Sequence, residues 1–156
     1  MSPNLMGHIV REIPRLRRHA TLLLDGDADR ADDMVQDCLE QAAGILKSDA
    51  SSASVRVGLF RLLHRALVDF RHRSSDASSL NIAQQPHAAV AIMLLVALEG
   101  MSIEETASVT GLDTETVEFC VEQTRNTLRH VVSAPPRAAV EPSEDEALIE
   151  LFDLRS

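Results

Sequence analysis

Residues 30–42 read RADDMVQDCLEQA, and residues 94–129 read LLVALEGMSIEETASVTGLDTETVEFCVEQTRNTLR. In the first stretch Ala31, Met34, Val35, Cys38, Leu39, Ala42 and, just beyond it, Leu46 recur at steps of three and four, so one apolar stripe runs along an amphipathic helix. In the second, Gly100 closes an apolar segment that begins near Ala88, and Ser102 followed by Glu105 has the form of a capping box. Gly111-Leu112 then makes a turn, and Asp113 or Thr114 opens a last helix through Val132, with Val117, Val121, Thr124, Leu128 and Val131 as its inner face. Two helices joined by a short glycine-containing turn behind a supporting helix form a helix-turn-helix pattern.

Helical spacing extends outward from these stretches, and no segment reads as a strand. Pro14 suits the first turn of a helix running to about Leu24, with Ile13, Leu16, Ala20, Leu23 and Leu24 as its stripe. Asp25-Gly26-Asp27 is a turn, and Asp32-Asp33 suits the positive dipole at a helix start. Lys47–Ser54 is a loop whose last serine caps a third helix, in which Val55, Leu59, Leu62, Leu63, Ala66, Leu67 and Phe70 repeat the pattern to about Arg73. The expected fold class is therefore all-α, with two small helical modules joined by a short linker. Residues 1–73 form a three-helix bundle, 74–87 the linker, 88–133 the helix-turn-helix and 134–156 an acidic tail. Within that tail Ala147–Leu154 could form an amphipathic turn or two, docked on another surface or on its own domain.

Composition narrows the function classes. No apolar run reaches about 18 residues, so no membrane span is expected, and the N-terminus has no export-signal pattern, which makes a cytoplasmic address the default. Cys38 and Cys120 sit inside apolar periodic segments, as small core residues do. His8, His19, His64, His72, His87 and His130 show no metal-ligand spacing, and no phosphate loop, nucleophile elbow or paired-carboxylate site stands out. No catalytic residue, metal or cofactor is expected, and the oligomeric state is left open. Charge is unevenly placed: residues 1–80 carry 11 Lys+Arg against 11 Asp+Glu, whereas residues 81–156 carry 4 against 13. A polyphosphate ligand would be repelled by the second half.

Residues 16–42, LRRHATLLLDGDADRADDMVQDCLEQA, and 55–73, VRVGLFRLLHRALVDFRHR, resemble region 2 of extracytoplasmic-function sigma factors, and residues 94–129 resemble their region 4. The resemblance covers about three quarters of the chain. It implies that the polar face Asp33, Gln36, Asp37 and Glu40 meets a coiled coil of the polymerase β′ subunit. It also implies that Arg61, His64, Arg65, Arg71, His72 and Arg73 could contact promoter DNA near the −10 element, since arginine binds phosphate bidentately. Gly58 stands where that family usually has Trp, and Arg65 where it usually has Asn.

The second module departs further. Its recognition-helix surface is Glu115, Thr116, Glu118, Phe119, Glu122, Arg125 and Arg129, with Glu118, Cys120 and Gln123 where the family usually carries base. Each lost cation removes a phosphate contact with its counterion release, and each carboxylate is repelled, so −35 reading by this helix is not expected. The 14 residues between Arg73 and Ala88 span at most about 50 Å, against promoter elements on the order of 70 Å apart, which favours two modules packed together.

The phrase SVRVGLFRLLH and the acidic second module are similar to the sigma-like domain of alphaproteobacterial general-stress response regulators, which binds an anti-sigma factor. Those regulators also carry a phosphoacceptor receiver domain, which this sequence lacks, so a stand-alone sigma-like protein is expected. Two functions follow from the resemblance. One is a divergent transcription-initiation regulator acting through RNA polymerase core or an anti-sigma factor, with weakened promoter reading. The alternative is a fully competent extracytoplasmic-function sigma factor that binds core polymerase and promoter DNA.

Overall fold

A computed structural model describes residues 3–46, 51–74 and 86–133. Among them are six α-helices and no strand: α1 (Pro3–Leu23), α2 (Ala28–Ile45), α3 (Ser52–Ser74), α4 (Pro86–Met93), α5 (Ile103–Thr110) and α6 (Thr114–Ser133), with a π-helical turn (Leu94–Leu98) continuing α4. The all-α class expected from the apolar spacing is what the chain adopts. The segment Ala147–Leu154, most of the 74–87 linker and the acidic tail lie outside the described residues. By contacts the chain divides into two units, residues 1–124 and 125–156. The described part of the second unit is the end of α6, where Arg129 donates to Asn126 Oδ1 at 3.3 Å.

Helix α1 starts earlier than the position of Pro14 suggests. It begins at Pro3 and runs through Pro14, burying Leu5, Ile9, Leu16, Ala20 and Leu23. Pro14 has no N–H to give the Val10 carbonyl, and its ring crowds that turn. Both residues lie on the exposed side, so the freed carbonyl faces water and the inward stripe carries the helix across the break. The sequence expectation failed because it weighed a proline's local preference above a stripe that begins nine residues earlier.

Helix α2 is capped by Asp27, whose carboxylate accepts the Arg30 N–H at 3.1 Å. Asp32 and Asp33 therefore lie in the second turn and not at the helix start, and Asp32 instead pairs with Arg17 of α1 at 2.9 Å. The buried stripe Ala31, Val35, Cys38 and Ala42 is small-residued and lets α3 approach closely. Cys38 Sγ donates to the Leu59 carbonyl of α3 at 3.4 Å, and burial pushes its thiol up to about 11.

The serine that caps α3 is Ser51 and not Ser54: the Ser51 hydroxyl accepts the Ser54 N–H at 3.2 Å, so the helix gains its first turn before Val55. Val55, Leu59, Phe60, Leu63 and Leu67 then face the core. A Cβ on Gly58 would come within 2.9 Å of Leu46 Cδ2. The small residue leaves room for Leu46 to fold back on α3, and an indole in its place would have to displace that leucine.

The caps and turn between α5 and α6 form as their motifs suggest. Both hydrogen bonds of the Ser102–Glu105 capping box are present, Gly111 closes α5 at φ 75°, and Asp113 caps α6 by accepting from the Thr116 N–H at 2.7 Å and hydroxyl at 2.8 Å. Its own small core joins Ile92 of α4, Ala107 of α5, and Val117 and Val121 of α6. Ala91, Leu95, Met101 and Val109, in contrast, belong to the same core as α1, α2 and α3, and α5 lies along α3. The inner face of α6 stops sooner than the spacing implies: Thr124 is half-buried but Leu128 is 53% exposed.

Replacing Pro14 tests the account of α1. Pro14→Ala restores an N–H for the Val10 carbonyl and is expected to raise unfolding stability in urea, by up to about 3 kcal/mol. An unchanged or lowered midpoint would mean that the break is needed by the packing.

Candidate partner-binding surface

The segment from α4 to α5 meets the first three helices through charge as well as apolar packing. The π-helical turn widens the end of α4, with the Glu99 N–H donating to Leu94 O and the Met101 N–H to Leu95 O, both at 3.0 Å, and Gly100 turning out at φ 64°. This brings Glu99 inward, and its side chain has 0% exposure. One carboxylate oxygen accepts from Arg18 of α1 at 2.8 Å, and the other lies 4.0 Å from the Arg56 guanidinium of α3. Arg56 also donates to the Glu99 backbone carbonyl and lies 3.7 Å from Glu12 of α1, which Arg15 approaches at 3.4 Å. Glu12, Arg18, Arg56 and Glu99 were missed in the sequence because each is spaced as part of an apolar face or an ordinary surface. No spacing signal marks them, although Arg18, Arg56 and Glu99 fall inside the three stretches that carry the sigma resemblance.

The residues expected to contact partners are distributed over three surfaces. Asp33, Gln36, Asp37 and Glu40 are all exposed on one face of α2, where Gln36 donates to Glu40 at 3.1 Å. On α3, Arg61, Arg65, His72 and Arg73 are exposed, and Arg73 also donates to the Asp69 carbonyl at 3.2 Å. Arg71 is engaged elsewhere: it donates to the Leu23 carbonyl and so ties the end of α3 to the end of α1. On α6, Glu115, Glu118 and Glu122 are exposed beside Phe119, which is 64% exposed, whereas Thr116 is held by the Asp113 cap. Arg125 and Arg129, in the second unit, are exposed as well.

His64 turns inward from the α3 row. Its Nδ1 is buried without a hydrogen-bond partner, as is Nδ1 of His19 on α1, whose ring stands edge-on to Phe60 with centroids 5.3 Å apart. Burial, then the neighbouring His64 and Arg18, push His19 down to about 4. Burial and Arg71 lower His64. Both imidazoles are therefore neutral packing groups near pH 7. Among the described residues no group of three or more His, Cys, Asp or Glu could hold a metal ion, and no helix is long and apolar enough to cross a membrane.

Residues 9–64, from mid-α1 to mid-α3, match the family described as the Sigma2 domain of PhyR. The fold is similar to that in the NMR structure of the PhyRSL–NepR complex from Sphingomonas sp. Fr1, with 23% identity, a TM-score of 0.65, and coverage of 92% of this chain and 99% of that one. It is similar too to the co-crystal structure of the anti-anti-sigma factor PhyR complexed with the anti-sigma factor NepR from Bartonella quintana. There the identity is 18%, the TM-score 0.55, and the match covers 96% of this chain and 62% of that one. No curated protein matches the chain in sequence. The chain thus resembles the sigma-like part of general-stress regulators, in sequence over residues 9–64 and in fold across most of its length.

The buried imidazoles make stability depend on pH. Above an unfolded-state value near 6.5 both states hold neutral rings; below it the unfolded chain takes up protons that the native core refuses. Stability is expected to fall as pH drops below 6.5, by up to about 1.4 kcal/mol per pH unit from His19 down to about 4, with His64 adding in the same direction. Urea midpoints across that range measure it, and His19→Leu should flatten the slope.

Proposed function

We propose that the chain is a sigma-like regulator of transcription initiation whose working contact is an anti-sigma factor, and that it has lost promoter reading. The observation that carries this is the closed packing: α5 lies along α3, the core is shared, and Glu99 is bonded to Arg18 and Arg56. A sigma factor must spread its two modules over elements on the order of 70 Å apart, and this packing opposes that. The outward face of α6 supports the same reading, since Glu115, Glu118 and Glu122 around exposed Phe119 suit a basic amphipathic segment and not phosphates. The solved neighbours, both complexes with NepR, suggest the class of partner. In this proposal the working parts keep the bounds 1–73 and 88–133, joined by 74–87 and followed by the tail 134–156.

A second reading rests on the exposed row Arg61, Arg65, His72 and Arg73, which retains the charge for −10 phosphates, together with the acidic face of α2 as a site for core polymerase. Binding assays against core polymerase and a purified NepR-type anti-sigma factor, followed by run-off transcription, separate the two. Promoter-specific transcripts from the reconstituted holoenzyme would sink the partner-only proposal. The α6 surface has its own test: the double reversal Glu118→Lys, Glu122→Lys should weaken anti-sigma binding about tenfold or more, about 1.4 kcal/mol, and raise nonspecific DNA affinity in calorimetry and filter binding. Unchanged anti-sigma affinity would put that contact elsewhere.

A further inference from the structure

The apolar seam between the helix-turn-helix segment and α1–α3 is modest, with Ala91, Leu95, Met101 and Val109 as its buried contributors. Ala91 and Val109 are small, and such a seam tolerates slippage. Glu99 does not. Its carboxylate is wholly shielded and bridges two cations from two different helices, while its own backbone carbonyl takes a further bond from Arg56. Oε2 of Glu99 and Nε of Arg56 are buried without a hydrogen-bond partner, so the grip is electrostatic and incompletely satisfied. A pair of this kind adds little net stability over an apolar substitute, but removing one partner leaves an uncompensated buried charge.

We infer that Glu99 is a charge clasp that selects the closed arrangement of the two halves, with Arg18 as its releasable partner. Arg56 is the fixed partner: its side chain is 20% exposed and is also held by Glu12. Arg18 is 48% exposed and can exchange the carboxylate for water or for an acidic group on a binding partner. Closure is then a state that a partner can bias through one exposed arginine, because a conformational equilibrium moves only as far as a ligand discriminates between its states. What closure means for partner choice rests on the function proposed above; the clasp itself does not.

Spin labels on Ala43→Cys of α2 and Ser108→Cys of α5, both exposed positions, report the arrangement by pulsed dipolar spectroscopy in a Cys120→Ser background. Cys38 is buried, with its thiol pushed up to about 11, and takes no label. The parent protein should give one narrow short distance. Arg18→Gln and Glu99→Gln should each replace it with a broad distribution reaching longer distances while far-UV circular dichroism keeps its helical signal, and the double variant should broaden it no further. A narrow unchanged distance in both single variants would overturn the clasp. If Glu99→Gln fails to fold, Arg18→Gln decides alone, since it removes a half-exposed side chain. The measurement uses the free full chain, so it stands whether or not an anti-sigma factor proves to be the partner.

Discussion

One buried carboxylate between two arginines organises how the halves of this chain meet. Glu99 enters from the π-helical turn, Arg18 from α1 and Arg56 from α3, so three elements far apart in sequence are bound to one another at a single point. Apolar contacts are non-directional and supply most of the association. The ion cluster supplies direction. Shifting α5 along α3 by a turn could keep much of the oily contact, but it would strand Glu99 in a low-dielectric space where an unpaired charge is costly.

The first three helices set the places of the two arginines that Glu99 meets. Arg18 stands on α1 and Arg56 on α3, and the buried stripe Ala31, Val35, Cys38 and Ala42 packs α2 against both helices. His19 and Phe60 fill the space directly beside the two arginines as a neutral edge-on pair. At the far end Arg71 ties α3 to the last turn of α1, and Arg30 lies over the Phe70 ring at 4.8 Å. The arginine-rich end of α3 therefore divides its cations between internal joints and solvent.

Much of this was legible from residue spacing. The helix count, the α2 stripe, the Ser102–Glu105 box and the Gly111 turn follow from local rules that the structure obeys. Helix starts were less legible, because Pro14 and Ser54 carry start signals that α1 and α3 override with earlier residues and tertiary contacts. The inner face of α6 was read too far, since Leu128 keeps the helical spacing and is 53% exposed. The cluster around Glu99 could not be derived from spacing at all. It joins residues 43 and 81 positions apart, and only three-dimensional packing brings them together. Charge at helical spacing reports solvent for Asp33, Gln36, Asp37 and Glu40 of α2, but it misplaced His64 and Arg71 of α3, which turn to internal packing and to the Leu23 carbonyl.

The π-helical turn carries a consequence for how such a chain can change. A turn closed by bonds to the fifth residue holds one more residue than an α-helical turn of the same height. Winding the same five residues Leu94–Leu98 as an ordinary α-helix, with none deleted, would carry everything after the turn round by up to about 100°. Glu99 would then point away from Arg18 and Arg56 with no change in its own identity or in theirs. The junction can thus be disconnected by rewinding one turn with every side chain intact, so the winding of that segment is as much a determinant of the assembled state as the acid it delivers.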